Sequence, residues 1–411
     1  MTFEIFPETI APSTRASVVT LNNCRFECGG IKLENATVQF VQDDNFILEI
    51  ILADDQLTFS DQMNAVFNND SAHLHSAQIS ESLDLFTTGG SETGMRLIPA
   101  KRPIMIATEN DVISMKALLV NGPDLNNFTM THDVATISYA RAHSKMGSQS
   151  PPIAVTGSVE ILFDAPQDTK AACRYLDGFV RFLTLLKGSR TGSGSVYGYS
   201  VSGETTFLRI GFTGFDEAKT PNGWFFQTLT KNVPEVYSSY TDYVSSHTRP
   251  LLKTIEYYRA ANVIKDSSLE MAVIASHGAL ELVVHHILEV HGGWSKKLTS
   301  NRDIKFADKS RAAFKLIRCA ADPFEHSPKL QAFAKARSNL DAFDIVSLFR
   351  NKLTHNDPKF SYVGMELYEV WSVSQWLCEM FMFYCLGYLG EAIDRRRYGG
   401  WSVGPEKLNF E

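Results

Sequence analysis

The sequence predicts an α+β chain: a β-rich amino-terminal domain with one packed helix over residues 1–235, then an all-α bundle over residues 236–411. Three observations carry this. Up to about residue 163, apolar residues run in β-branched or alternating segments cut by turn residues. After Pro234 that signal stops and helical spacing takes over. The charge balance shifts at the same place. Residues 1–234 hold 17 Lys and Arg against 25 Asp and Glu, whereas residues 235–411 hold 22 against 21.

The first strands are "ASVVTL", "IKLENATVQFV" and "NFILEIILA", separated by "NN", "CGG" and "QDD". "RPIMIAT", "VISMKALLV", "ATISYARA" and "IAVTGSVEILF" continue the pattern. Residues 169–187 turn helical. Leu176, Val180, Phe182, Leu183 and Leu186 fall at helical spacing, and Lys187 with Gly188 supplies the stop. "SVYGYSV" and "TTFLRIGF" read as two further strands. The Gly/Ser run "KGSRTGSGSVYGYSVSG" lacks the Lys-Ser/Thr of a P-loop and leads into a strand, so it is read as a mobile loop feeding a hairpin. Helices are expected near 235–263, 267–291, 307–320, 328–338, 341–356 and 362–390. Pro250 should kink the first, and Gly292 should cap the second.

Composition is that of an ordinary globular chain, 44% hydrophobic and 21% charged. Six scattered cysteines are too few for a disulfide framework and fit a reducing compartment. Cys24 and Cys28 have no second pair or nearby His, which argues against zinc. The amino terminus lacks a basic region followed by an apolar core, so no signal peptide is expected. Residues 370–390 are nearly long enough to span a bilayer, but Gln375 and Glu379 lie mid-segment, which favours a buried core helix. A cytoplasmic protein without membrane association is expected.

The net charge of −7 argues against a general nucleic-acid coat. Residues 294–318 nevertheless concentrate Lys296, Lys297, Arg302, Lys305, Lys309, Arg311, Lys315 and Arg318 against Asp303 and Asp308 alone. This is either a solvated helix face or a phosphate-steering patch. His73 and His75 would share one face of a strand and read as a polar surface pair. On the second bundle helix, His277, Glu281, His285 and Glu289 recur every four residues as a polar ridge on a mostly apolar helix. Such a ridge is structural, or it places Glu281 to orient an active-site Arg or His, or it contributes to a metal site.

The sharpest signal is "DAFDIVSLFRNKLTHNDP", residues 341–358. It runs from a candidate N-cap, Asp341, to a helix-ending "NDP". On a helix Asn351 and His355 share a face, with Arg350 one step round and Lys352 facing water. An imidazole moves protons near neutral pH. A guanidinium forks onto phosphate and balances charge on a pentacovalent centre. An Asn can hold the phosphate or fix the imidazole. The trio suits phosphodiester chemistry. An Arg followed by His after four to six residues is expected about 1.5 times by chance in this composition, whereas requiring Asn next to Arg at this spacing lowers that to ~0.02.

A helical domain carrying Arg350, Asn351 and His355 in this spacing resembles the HEPN superfamily, with Glu281 in "GALELVVHHIL" resembling its acidic position on an earlier helix. The layout, with "YLDGFVRFLTLLKGSR" before the helical half, also resembles ApeA-type anti-phage abortive-infection proteins. The resemblance implies a metal-independent, cofactor-free endoribonuclease in which a ribose 2′-hydroxyl attacks the adjacent phosphate. His355 would be general acid or base, Arg350 would stabilise the transition state, Asn351 would position groups, and Glu281 would orient Arg350 or His355. It further implies a homodimer or dimer of dimers, RNA as substrate with tRNA among the targets, and a toxin-like role restrained by an amino-terminal sensor of a phage-derived trigger. Lys296, Lys297, Arg302 and Lys305 would steer the RNA. Two rivals stand beside this: a catalytically inactive HEPN-type module for nucleotide or RNA binding and dimerisation, and a metal-dependent hydrolase built on His277, Glu281 and His285.

Overall fold

The computed structural model describes residues 16–28, 31–42, 48–53, 71–75, 83–91, 94–99, 103–107, 111–142, 154–216, 223–355, 357–397 and 404–410. These fall into two compact units. One takes the described residues of 1–121, 129–178 and 192–218; the other takes those of 122–128, 179–191 and 219–411. The expected boundary near 235 therefore lies inside the second unit. The amino-terminal stretch read for a targeting signal and Asp43–Asp44 of the "QDD" break lie outside the described residues.

The first unit is all antiparallel pairing around period-two patterning. Strands β1 (Ala16–Cys28), β2 (Ile31–Gln42), β3 (Leu48–Ala53), β4 (Ser71–His75), β5 (Leu83–Ser91) and β6 (Gly94–Pro99) close into a barrel in the order β1-β2-β3-β6-β5-β4. A seven-stranded sheet follows: β7 (Ile104–Ala107), β8 (Val112–Val120), β9 (Phe128–His132), β10 (Ala135–Arg141), β11 (Val155–Gln167), β12 (Gly192–Tyr199) and β13 (Thr205–Phe212), ordered β7-β13-β12-β8-β11-β10-β9. Alternation explains the cysteines. Cys24, Phe26 and Cys28 all face inward and join one core with Leu33, Val38, Ile50 and Leu52 of the barrel and Ile104, Tyr197 and Leu208 of the sheet. All six cysteines are free thiols. His73 is exposed on β4.

One expectation needs correcting. The Gly/Ser run is not a loop as far as residue 195: β12 begins at Gly192 and lies between β13 and β8, largely buried. Glycine is required there because aromatic rings of β13 lie over the backbone. A Cβ on Gly198 would fall 2.0 Å from the Phe207 ring, and one on Gly194 would fall 2.3 Å from Phe212. Gly198→Ala should destabilise the protein by about 1–3 kcal/mol through overpacking, read as a lower urea midpoint with an unchanged slope. The expected hairpin between β12 and β13 is present, closed by Ser200 N–H donating to Glu204 O at 2.8 Å.

Helix α1 (Thr169–Lys187) forms as its spacing predicts, with Leu176, Val180, Phe182, Leu183 and Leu186 all buried. It ends at Gly188, whose φ of 73° suits glycine. The first unit keeps residues 169–178 and the second takes 179–187.

The second unit holds α2 (Val233–Ile264), α3 (Leu269–Val290), the single turn α4 (Lys296–Thr299), α5 (Phe306–Ile317), α6 (Pro328–Lys335), α7 (Ala342–Thr354) and α8 (Gly364–Leu386). Pro250 kinks α2 three residues upstream, at His247, where φ is −132° and ψ is 35°. α3 ends one residue earlier than expected: His291 closes it, and Gly293 rather than Gly292 takes the left-handed conformation, at φ 68°. α8 is buried along nearly its whole length, as a core helix. Its mid-helix Glu379 meets Arg395, and the Arg395 Nη1 and Nη2 also donate to Asn262 Oδ1 at 3.0 Å and to the Tyr258 hydroxyl at 2.8 Å. Gln375 donates to Tyr258 O at 3.1 Å. Glu379 is thus satisfied inside the helical core, and Gln375 uses its amide donor there, while its buried Oε1 has no partner among the described residues. Among the described helices α3 alone is long and apolar enough to cross a bilayer, and most of it is buried.

Candidate functional site

Helix α7 is built to present its last turn. Asp341 is the N-cap and accepts the Asp344 N–H at 2.9 Å. Arg311 of α5 forks onto Asp341, donating from Nη2 to Oδ1 at 3.1 Å, and also pairs with Asp308 and Asp344. Ala342, Phe343, Ile345, Val346 and Phe349 form the buried stripe. That leaves Arg350 half-buried at its edge, with Asn351 and His355 exposed.

The three motif residues share this turn, as the spacing predicts. Arg350 Nη1 donates to Asn351 Oδ1 at 2.9 Å. His355 closes the helix, its N–H donating to Asn351 O at 3.1 Å. Thr354 Oγ1 donates to Arg350 O at 2.7 Å. Among the described residues no carboxylate pairs with Arg350. Lys352, expected to face water, instead donates to Asp357 Oδ2 at 2.6 Å and is half-buried.

Glu281 is not brought to this cluster. It is exposed and lines a cleft of about 270 Å³ with Lys253, Tyr257, Gly278, Leu282 and His285. His277, one turn earlier, lies within electrostatic reach of Arg350. It is 5% exposed, and its ring packs on Phe306 of α5 with centroids 4.2 Å apart. Burial, reinforced by the Arg350 charge, pushes the imidazole down to about 3, so it is neutral in ordinary buffers. The rest of the ridge disperses as well. Glu289 accepts from Thr299 Oγ1 at 2.5 Å, and burial lowers His285. No group of three or more His, Cys, Asp or Glu among the described residues is placed to hold a metal ion, so the donor set of the hydrolase reading does not assemble.

The basic segment divides. Lys309 is buried, and its Nζ donates to Thr299 O at 2.6 Å and Asn301 O at 3.0 Å. Arg311 is neutralised by three carboxylates. Lys296, Lys297, Arg302, Lys305, Lys315 and Arg318 remain exposed, without an ion pair among the described residues.

A second histidine group, unmarked by any sequence motif, lies at the kink of α2. The Tyr243 hydroxyl is 2.6 Å from His286 Nε2 and 3.4 Å from His291 Nε2, and the His247 ring stacks on Tyr243 at 4.5 Å. Burial, with repulsion from His247 and His291, pushes His286 down to about 4 against the pull of Glu289. In the unfolded chain His277 and His286 take up protons near pH 6.5, but in the folded protein only well below that. The unfolded state therefore binds more protons as pH falls, and stability drops with it. Each histidine should contribute about 1.4 kcal/mol per pH unit between pH 6 and 5, where carboxylates stay ionised. Urea midpoints across that window measure the slope, and His286→Gln should reduce it by one histidine's share.

Residues 245–404 match the family model described as the YopA C-terminal domain. No curated protein and no solved structure matches the chain. The family match opens two residues before the α2 kink and contains His277, Glu281, Lys305, Arg350, Asn351 and His355, so the candidate site lies wholly within the segment similar to that domain.

Proposed function

We propose that the helical unit is a metal-independent endoribonuclease, with Arg350, Asn351 and His355 as its reacting centre. The observation that carries this reading is the last turn of α7. An Arg350 with no carboxylate partner among the described residues is steadied by Asn351, one turn from an exposed imidazole. An unneutralised guanidinium in a half-buried position suits an anionic ligand, and His355 can reach a substrate from the surface.

In the proposed reaction the ribose 2′-oxygen attacks the adjacent phosphorus and the bond to the 5′-oxygen breaks. The 2′-proton passes to a base, and the leaving oxygen takes a proton from an acid. His355 serves one of these steps, and His355 of a second copy across a shared cleft serves the other. Arg350 balances charge on the equatorial oxygens, and Asn351 holds the guanidinium in place. The exposed Lys296, Lys297, Arg302 and Lys305 raise the local RNA concentration. Glu281 makes no hydrogen bond or ion pair with Arg350, Asn351 or His355 among the described residues, and we assign it no role in this chemistry.

The wider reading is a cytoplasmic anti-phage toxin acting by abortive infection, with the β-rich unit sensing a phage-derived trigger and tRNA among the substrates. End-group analysis of RNA cut by the activated protein tests the chemistry. A 2′,3′-cyclic phosphate and a 5′-hydroxyl are expected; a 3′-hydroxyl with a 5′-phosphate would overturn it. RNA that is bound but uncut in every state would favour the binding-module reading, which the six exposed cations without an ion pair among the described residues also suit.

A further inference from the structure

Helix α2 is weakest along its own axis at the kink. Pro250 has no N–H to give to Ser246 O, and His247 leaves helical geometry. The arm ahead of the kink, residues 233–246, packs on α1 through aromatic rings. Tyr237 meets Phe179 and Phe182 at 5.5 and 5.0 Å, and Tyr240 meets Phe182 at 5.5 Å. Nearer the kink, polar contacts gather on Tyr243. Its hydroxyl lies 2.6 Å from His286 Nε2 of α3 and 3.4 Å from Nε2 of His291, which closes that helix. The same hydroxyl is hydrogen-bonded to Cys385 of α8.

The surroundings of that hydroxyl suit neutral rings and not charged ones. The His247 ring stacks on Tyr243 at 4.5 Å and stands 5.3 Å from the His286 ring. His291 lies 5.2 Å from Tyr384 of α8. The facing carboxylates are Glu289, which already accepts from Thr299 Oγ1 at 2.5 Å, and the exposed Asp242. α1 brings Arg181, whose charge reaches Tyr240 one turn before Tyr243. A proton added to His286 therefore sets an imidazolium against two more imidazoles in a buried place. His247 Nδ1 is buried with no partner among the described residues, so it gains from any opening that admits water. A cleft of about 300 Å³ runs along these turns, lined by Ser239, Asp242, Tyr243, Ser246, His247 and Leu386 of α8, so the arm is not sealed against α8 there.

We propose that the α2 kink is a proton-operated hinge: near neutral pH the Tyr243 hydroxyl ties the arm to α3 and α8, and protonation of His286, with His247 and His291 beside it, frees the kink end of the arm while the rest of the bundle stays folded. The sign follows from linkage. The closed kink takes up protons poorly, whereas an imidazole released into water takes them up near pH 6.5, so acid favours the open form. The aromatic contacts of Tyr237 and Tyr240 carry no titrating imidazole, so the arm stays on α1 as its other end lifts. The hinge goes beyond the ribonuclease reading and stands without it, since Arg350, Asn351 and His355 are not among its groups.

Hydrogen exchange of the full chain between pH 7 and pH 5, corrected for the intrinsic effect of pH on exchange, tests this. With about 6.5 for the opened imidazole and about 4 for the closed one, proton uptake by His286 alone should lower the protection of the amides of residues 240–247 about twentyfold. Low urea should barely change that exchange, because a local opening exposes little surface, whereas the amides of α8 should follow the urea slope of global unfolding. His286→Gln, which cannot take up the proton, should remove the twentyfold factor. Arm protection that holds to pH 5 would overturn the hinge. So would arm amides that share the urea slope of α8 at both pH values, since the arm would then open only with the whole unit. The wild-type profile decides both points even if His286→Gln fails to fold. An equal loss in wild type and folded His286→Gln would also overturn it.

Discussion

Replacing His355 by Ala should lower RNA cleavage by roughly 10²–10⁴-fold, the range for losing a positioned acid or base. Arg350→Ala should lower it by about 10²–10³-fold, the range for losing one transition-state donor. Arg350→Lys should not restore activity, because an ammonium cannot make the planar fork. Both positions lie at the edge of α7 or outside its buried stripe, so melting temperatures should stay close to wild type. Glu281→Ala should cut RNA at the wild-type rate, since its carboxylate faces the cleft of Lys253 and His285. The comparison is single-turnover cleavage by the activated protein. If His355→Ala and Arg350→Ala match wild type there, the proposed reacting centre is wrong.

The second large effect lies in the core. Arg395→Met should destabilise the protein by about 3–5 kcal/mol, the usual result of stripping one partner from a buried ion pair. The Glu379 side chain is 1% exposed and that of Arg395 7%, and Nε alone reaches both carboxylate oxygens, at 2.9 and 3.0 Å. Without the guanidinium, the Tyr258 hydroxyl is the remaining donor to Glu379. Burial already pushes this carboxyl above the usual range against the pull of Arg395, so Met at 395 would leave it protonated or unfolded. The double variant Arg395→Met with Glu379→Leu should recover most of the loss, because an apolar pair removes the desolvation problem instead of exposing it. Urea denaturation of the three proteins decides this. A single-variant loss under about 1 kcal/mol would mean that water reaches the pair.

Much of the helical unit is legible in the sequence because its signals are local. Asp341 caps α7, Pro250 kinks α2, and the stripe ending at Phe349 sets which way Arg350 faces. The site partner was not legible, and the reason is geometric. Steps of four residues turn a helix by about 400°, so each overshoots by about 40°, and His277 and Glu289 end up about 120° apart. One member of the ridge therefore meets Phe306 while the next faces another cleft. The same limit applies to charge. Lys309 reads like its neighbours, but its position on the buried face of α5 turns it into a donor for the carbonyls of Thr299 and Asn301. In the sheet-rich unit, β4, β5, β6 and β9 escaped because "LDLFTTGGS" and its neighbours are short or interrupted by Gly and Thr, and their pairing is decided by strands far away in sequence. Strand β12 was placed too late because glycine reads as loop, whereas here the rings of Phe207 and Phe212 occupy the space a side chain would need.

The Arg311 clamp gives α7 one fixed end and one loose end. Two carboxylates, Asp341 and Asp344, hold its beginning to Arg311 of α5, while its C-cap residue His355 is tied through its main-chain N–H. Stiffness should therefore decline along the rod, from amides near Ile345 that exchange slowly to those near His355 that exchange fast. In the proposed reaction a compliant tip lets the imidazole adjust to the one oxygen it serves, while the guanidinium a turn behind it stays registered. Arg311→Ala would loosen the root as well as the tip, and turnover would fall although no reacting atom has been touched.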